Sequence, residues 1–259
     1  MRTPRVYDTE AIVLRRTDFG EADRILTLFT PKGGKVRAIA KGVRRTTSRL
    51  AGHLEPFARA QLLLATGRDL DIVTQAESRE RLDHLRDDLW HASGAWYIAE
   101  LVDRFLEDAD PHPRLYQLFT QTLRQLDAGA AAPASSRGWL ALRYFELYLL
   151  GELGYRPALH QCASCDTPLT PIENGYNPEL GGALCPRCSR YSQRRLSLTA
   201  LKVLRLLQTT EWEALPKLRL SAAVRDEVEA VLQSTLRFHL DRDLKSWTFL
   251  QSAPAPESS

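Results

Sequence analysis

The sequence predicts an α+β chain: a small N-terminal β-barrel, followed by a helical domain into which a four-cysteine segment is inserted. Three observations carry this expectation. Residues 1–80 are broken into short stretches rich in β-formers and punctuated by turn signals. Apolar residues at helical spacing dominate most of the chain beyond residue 80. All four cysteines fall in two Cys-x-x-Cys pairs.

The strand-like stretches are 10–14, 24–29, 34–40, 60–64 and 71–74, with turn signals at 18–20, 31–34 and 66–69. Five short strands of this kind fit a small antiparallel barrel. A hairpin through Pro31-Lys-Gly-Gly34 is the clearest local feature, because glycine tolerates the positive φ of such turns.

A helix is expected from Leu82, Leu85, Leu89 and His91 through to Phe105 and Leu106, ended by Asp110-Pro-His-Pro113. A second runs through Leu115, Leu118, Phe119, Leu123 and Leu126, and residues 127–136 read as a loop. A third starts near Arg137. Its stretch 139–150 is apolar almost all round, the pattern of a buried helix. Two more patterns cover 198–207, capped by Ser197 or Thr199, and 221–240. The tail 251–259 is rich in Pro, Ala and Ser and reads as disordered. The expected division is 1–80 barrel, 81–158 helical, 159–195 cysteine module, 196–250 helical again, 251–259 tail.

The cysteine pairs read Cys162-Ala-Ser-Cys165 and Cys185-Pro-Arg-Cys188, nineteen residues apart. Each tight turn aims two thiolates at one point, and two such turns complete a tetrahedron. The intervening prolines and glycines suit a ribbon-like hairpin. The expectation is one structural Zn²⁺ per chain. Four thiolates leave no open position for catalysis, and a thioredoxin-like centre would need only one pair at a strand-to-helix junction. His160 is read as a surface residue.

The formal net charge of +3 singles out no partner, but the distribution does. Residues 32–49 carry Lys32, Lys35, Arg37, Lys41, Arg44, Arg45 and Arg49 and no acidic residue. Arginine forks and the nearby hydroxyls of Thr46, Thr47 and Ser48 suit phosphates. A barrel with a basic face is a common surface for single-stranded nucleic acid, bound through its backbone in a salt-sensitive way. A solvated basic loop is the bland alternative. The stretch lacks interleaved aromatics, and Phe29 and Phe57, which flank it, are assigned to the core.

No apolar run reaches membrane-span length, and the first residues do not form an apolar signal core, so a cytoplasmic chain is expected. Catalytic motifs are missing too. Gly33-Gly-Lys35 is no phosphate loop, because Phe29 and Val36 stand where glycine and Ser/Thr are required. Asp87-Asp88 is read as solvated charge on an exposed helix face, and Asp18, Glu21 and Asp23 as a turn with local caps. The chain is not expected to be an enzyme.

The stretch from Thr9-Glu-Ala-Ile-Val-Leu-Arg-Arg to Leu28-Phe-Thr30 resembles the N-terminal barrel of the RecO family of bacterial DNA repair proteins. So do Gly34-Lys-Val-Arg-Ala-Ile-Ala-Lys-Gly-Val-Arg-Arg45, Ser48-Arg49-Leu50 and Pro56-Phe57. Phe145-Glu-Leu-Tyr-Leu-Leu-Gly-Glu-Leu-Gly-Tyr-Arg-Pro157, the cysteine pairs with Gly181-Gly-Ala-Leu before the second, and Leu196-Ser-Leu-Thr199 are similar to the family's central helix, zinc segment and next helix. The resemblance implies an OB-fold barrel, a helical domain and a zinc module. It implies a recombination mediator of the RecF pathway that binds single- and double-stranded DNA and anneals strands without ATP or any other nucleotide. With RecR, such a protein helps load RecA onto DNA coated by single-strand binding protein. It also contacts that protein's acidic C-terminal tail. A cytoplasmic, nucleoid-associated location is implied as well. The family's DNA contacts map onto Lys35, Arg37, Lys41, Arg44, Arg45 and Arg49, with Arg15 and Arg16 as lesser sites. Arg187, Arg190, Arg194 and Arg195, around the cysteine module, are read from the sequence as a secondary DNA contact, Arg195 being a lesser site like Arg15 and Arg16. The tail pocket, apolar with basic residues in the helical domain, is not placed residue by residue. Arg143 is its only named starting point, and packing is the default for Trp139, Tyr144 and Phe145.

Overall fold

The computed structural model describes residues 5–131, 137–215, 218–241 and 243–254. Within them the strands are β1 (Val6–Phe19), β2 (Asp23–Thr30), β3 (Gly34–Ala40), β4 (Arg59–Ala65), β5 (Asp71–Glu80), β6 (Asn174–Asn177), β7 (Gly182–Leu184) and β8 (Arg194–Leu196). The helices are α1 (Leu89–Phe105), α2 (Pro113–Ala131), α3 (Arg137–Glu152), α4 (Leu198–Thr209), α5 (Ala222–Leu240) and α6 (Lys245–Ser252). The chain divides into two units, residues 1–138 with 244–259, and residues 139–243. The barrel therefore shares a unit with α1, α2 and α6, and the boundary expected near residue 80 lies inside it.

The five N-terminal strands close into a barrel in the order β1-β2-β3-β5-β4. Ala11, Val13, Leu26, Leu28, Leu62 and Leu64 fill its interior from alternate positions. Each expected strand is present. β1 and β5 run well beyond their apolar stretches, because ladder hydrogen bonds hold polar positions once the neighbours are in place. The expectation of a wholly antiparallel barrel is corrected. β3 and β5 pair in parallel, Ala38 with Asp71 and Ile39 with Ile72. The connection after β3 carries the chain across so that β4 pairs with β1. β5, antiparallel to β4, then closes against β3. Gly34 ends the Pro31–Gly34 turn at φ +64°, and a Cβ there would lie 2.1 Å from the Asp110 carbonyl oxygen.

Part of the barrel's outer face is covered within the same unit. Phe29 meets Tyr116 and Phe119 of α2 edge to face, with centroids 5.4 and 5.9 Å apart. α6, which the sequence pattern missed, packs on α1 through Tyr97 and Trp247 at 5.3 Å. The disordered tail expected at 251–259 is thereby corrected at its start, since Gln251 and Ser252 close α6; residues 255–259 lie outside the described residues.

Helix boundaries differ from the expected ones where capping outranks apolar spacing. α1 starts at Leu89, since the Asp88 carboxylate accepts from the His91 amide at 2.9 Å. Asp88 is thus a cap, and Leu82 and Leu85 precede the helix. Pro113 opens α2, where its missing N–H costs nothing. α2 continues to Ala131, which corrects the expected loop over residues 127–131; residues 132–136 lie outside the described residues. In the second unit, Ser197 and Ser221 cap α4 and α5. α3 is buried as expected, but it buries Arg143 and Glu146 along with its leucines.

A polar network ties three strands to α2. Arg59 on β4 donates to Glu10 at 2.8 Å and to Glu80 at 3.0 Å, Arg124 donates to Glu80 at 2.6 Å, and the Tyr116 hydroxyl donates to Glu10 at 2.8 Å. Burial pushes the Glu10 pKa up, but the hydrogen bonds from Arg59 and Tyr116 outweigh it, so it lies below 4.5. The hydrogen bond from Arg124 does the same for Glu80. Carboxylates depressed in the folded state stabilise it above their unfolded pKa, and that stability is lost as pH falls through the folded value. The first unit's melting temperature is therefore expected to drop as pH is lowered below 4.5. Thermal melts across pH will show a shallower decline in Glu10→Gln than in the native chain; identical profiles would remove Glu10 from this account.

Candidate metal centre and nucleic-acid interface

The four cysteine sulfurs converge in the second unit, all within 4.8 Å of one another. In the first turn the Cys162 amide donates to the Thr167 carbonyl and the Cys162 carbonyl accepts from Asp166, which sits at φ +57°. In the second, the Cys188 amide donates to the Cys185 carbonyl at 2.9 Å. β6 and β7 form the intervening hairpin, and β8 completes a three-stranded sheet in the order β7-β6-β8. Residue 158 anchors the hairpin. The Ala158 amide donates to Gly181 and its carbonyl accepts from Ala183. A Cβ on Gly182 would stand 2.3 Å from that carbonyl oxygen.

The donor set fits a tetrahedral thiophilic cation. Metal–sulfur bonds of about 2.3 Å place tetrahedral sulfurs about 3.8 Å apart, and Cys165 and Cys185 are 3.7 Å apart. The Cys185 amide donates to the Cys162 sulfur at 3.3 Å, tying the second turn to the first. Hydrogen bonding with Thr167 lowers the Cys165 thiol to about 6. At Cys188 a bond from Ser164 acts downward, but burial and the three neighbouring sulfurs push the thiol up to about 11. Four thiols this close cannot all ionise unless a cation answers their charge. His160 is exposed and outside the sulfur set.

The barrel sorts the expected cations differently from the sequence. Lys35 is a correction, since it is only 8% exposed. Its ammonium donates to the Asp103 carbonyl oxygen at 2.7 Å and lies 3.4 and 3.6 Å from the Asp103 and Asp108 carboxylates. It anchors β3 beneath the end of α1 and is not offered to a ligand. Arg16 and Arg24 both engage Glu55, so Arg16 is largely spent on a local pair.

Arg37 and Arg15, the latter at a loose 3.9 Å from Asp103, stay exposed, and the register brings them together. A bulge in β1 between Val13 and Arg15 sets Arg15 opposite Thr27, and Thr27 is opposite Arg37 on β3. Arg15-Thr27-Arg37 is thus one cross-strand row on the outer face, with both arginines exposed. The next row is Thr17-Ile25-Ile39, and beyond it Phe19 is 52% exposed. An aromatic and two isoleucines therefore interleave the cations on this face. Apolar alternation ends β1 at residue 14, so the sequence pattern gives no sign of them.

The β3–β4 connection extends the same charge. Lys41, Arg44, Arg45 and Arg49 are exposed. The loop is tied to the β1–β2 turn by the Arg44 amide donating to Ala22 and the Gly42 amide donating to Asp23. Arg44 also sits 3.5 Å from Asp18, whose carboxyl Arg24 and Arg44 hold below its usual range. Among the described residues no ion pair engages Lys41, Arg45 or Arg49.

In the second unit, Arg187, Arg190, Arg194 and Arg195 are all exposed around the cysteine module. Arg190 lies over the Tyr191 ring at 4.7 Å, and Arg195 meets Glu173 at a loose 3.8 Å. Arg143 is corrected as a peptide-binding residue. It is fully buried, donating to Glu229 at 2.7 Å and to Glu146 at 2.8 Å.

Comparison with known proteins agrees along the chain. The model described as Recombination protein O N terminal matches residues 1–81, and that described as Recombination protein O C terminal matches residues 86–248. The chain is 47% identical over 248 residues to a protein of Roseiflexus sp. (strain RS-1) named DNA repair protein RecO, covering 95% of this chain and 85% of that one. A protein of the same name from Dehalococcoides mccartyi (strain ATCC BAA-2100 / JCM 16839 / KCTC 5957 / BAV1) is 37% identical over 254 residues, covering 97% and 98%. One from Pelotomaculum thermopropionicum is 36% identical over 257 residues, covering 97% of each.

Proposed function

This chain belongs to the RecO family of DNA repair proteins, and we propose that it is a recombination mediator whose DNA surface is the outer face of the barrel. The observation that carries the reading is the Arg15-Thr27-Arg37 row continued by Lys41, Arg44, Arg45 and Arg49. Closed strand order β1-β2-β3-β5-β4 with β3 and β5 parallel is the arrangement of an OB-fold, a barrel that commonly carries oligonucleotides. Exposed cations give affinity through phosphates, and the neighbouring Phe19, Ile25 and Ile39 give bases something to lie against.

In this reading the protein binds single- and double-stranded DNA and anneals complementary strands without a nucleotide or covalent chemistry, so it is not an enzyme. Neutralising the phosphates of two strands lowers the repulsion that opposes their pairing. RecR and the acidic C-terminal tail of single-strand binding protein are its partners in loading RecA. The cysteine centre holds one structural Zn²⁺, since four sulfurs complete its shell. Arg187, Arg190, Arg194 and Arg195 form a second DNA contact on that module. Among the described residues no helix is long and apolar enough to cross a membrane, and the working location is the nucleoid.

Titrating fluorescent single-stranded DNA at several salt concentrations tests this. Reversing charge at Arg44 and Arg45 should weaken binding at least about tenfold and lower the salt slope by about one for each phosphate no longer engaged. ATP-free annealing should slow in parallel. Unchanged affinity and slope would move the DNA surface elsewhere.

A further inference from the structure

A groove of about 480 Å³ opens in the first unit beside the arginine row, and Arg15 belongs to both. Trp96 of α1 and Phe249 of α6 line it, with Arg104 and Lys245 contributing further charge. We propose that this groove takes the bases of a single strand whose backbone runs along the Arg15–Arg37 row. Trp96 and Phe249 are its stacking surfaces, and Arg15, Arg104 and Lys245 are its phosphate partners. The proposal rests on the barrel face being the DNA surface and deepens that reading by assigning where the bases go.

Both aromatics are open yet held. Trp96 is 39% exposed, its ring fixed edge to face against Phe57 with centroids 4.8 Å apart. Phe249 is 50% exposed. It stands on a short helix pinned by the Ser246 amide donating to Glu100 at 2.8 Å and by Trp247 packing on Tyr97. A rigid, half-exposed ring loses little entropy when a base covers it, and stacking tolerates any base.

The groove's own carboxylates are answered from within. Glu100 accepts from the Ser246 amide and hydroxyl and lies 3.9 Å from Arg104. Asp103 accepts from buried Lys35 and lies 3.9 Å from Arg15. The cations that face solvent are Arg15, Arg104 and Lys245. An acidic peptide would also meet cations here. Continuity with Arg37 and the basic β3–β4 loop favours a long polyanion.

The test compares an oligothymidylate with an abasic oligonucleotide of equal length at one salt concentration. The native chain should prefer the thymidylate about tenfold for each base stacked. Trp96→Ala/Phe249→Ala should lose that preference and hold the abasic strand within about twofold of native. Trp96→Phe, which keeps a ring against Phe57, should retain most of the preference, so that a loss in the alanine variant is not one of folding. Reversal of Arg44 and Arg45 should weaken both ligands alike. An intact thymidylate preference in the alanine variant overturns the proposal, as does equal weakening of both strands. So does unaltered DNA binding coupled with lost affinity for an acidic peptide. A native chain that binds neither oligonucleotide would instead defeat the barrel-face reading itself.

Discussion

Replacing Cys162 with serine will abolish metal retention and melt the segment from Ala158 to Leu196. Cys162 is fully buried. Its backbone carries the first turn, and its sulfur accepts the Cys185 amide that joins the two turns. The segment's sheet has only three short strands, of four, three and three residues, too little to order itself without another constraint. Zinc bound to such sites contributes on the order of 10 kcal/mol in small modules, far more than the sheet alone can supply. Elemental analysis should give one zinc per native chain and none per variant. Hydrogen exchange should lose protection across the segment while the barrel's amides stay protected. Chelation of the native chain should reproduce that pattern. Full protection in the metal-free chain would show that the segment is held by its packing alone.

The second large effect is expected at Arg143. Its guanidinium bridges Glu146, fully buried on the same helix, and Glu229 on α5, and it lies 5.7 Å from the Trp139 ring centroid. The Trp139 indole N–H also donates to Glu229, at 3.3 Å. Arg143→Met keeps roughly the volume but takes the cation away from buried Glu146, whose charge the neutral Gln233 amide, donating at 3.1 Å, does not balance. Leaving a buried ion without its partner costs about 3–5 kcal/mol. For a chain of this length that lowers the melting temperature by roughly 10 °C. Arg143→Met/Glu146→Leu removes both buried charges and should recover most of the loss, because a paired buried ion is worth little more than good apolar packing. If the double variant melts no higher than the single one, the loss is one of shape and not of charge.

This charge pair also shows where sequence reading stops. The run at 139–150 is legible as a buried helix from its apolar content. Nothing local indicates that an arginine and a glutamate are buried with it, since the partner that makes this tolerable, Glu229, is eighty-six residues away. The same holds in reverse at Lys35. It resembles part of a basic surface because its neighbours are basic, yet its ammonium is consumed by Asp103 and Asp108. Phe19 goes the other way. A bulge and a long ladder carry β1 past its apolar stretch and set this ring on the exposed face, on the same side as Arg15, which the sequence already offered as a lesser site.

Chemistry that neighbours along the chain complete is already written in the amino-acid order. The two Cys-x-x-Cys turns are of this kind, as are the serine caps of α4 and α5 and the glycine-bearing hairpin before β3. Each depends on atoms a few residues apart, whose geometry the backbone dictates. Which cations are free, which aromatics face solvent and which charges lie buried are settled only in three dimensions. Those outcomes depend on strand register and on partners brought from distant parts of the chain. An ion pair or a covering helix changes the state of a side chain without leaving a trace beside it in the sequence.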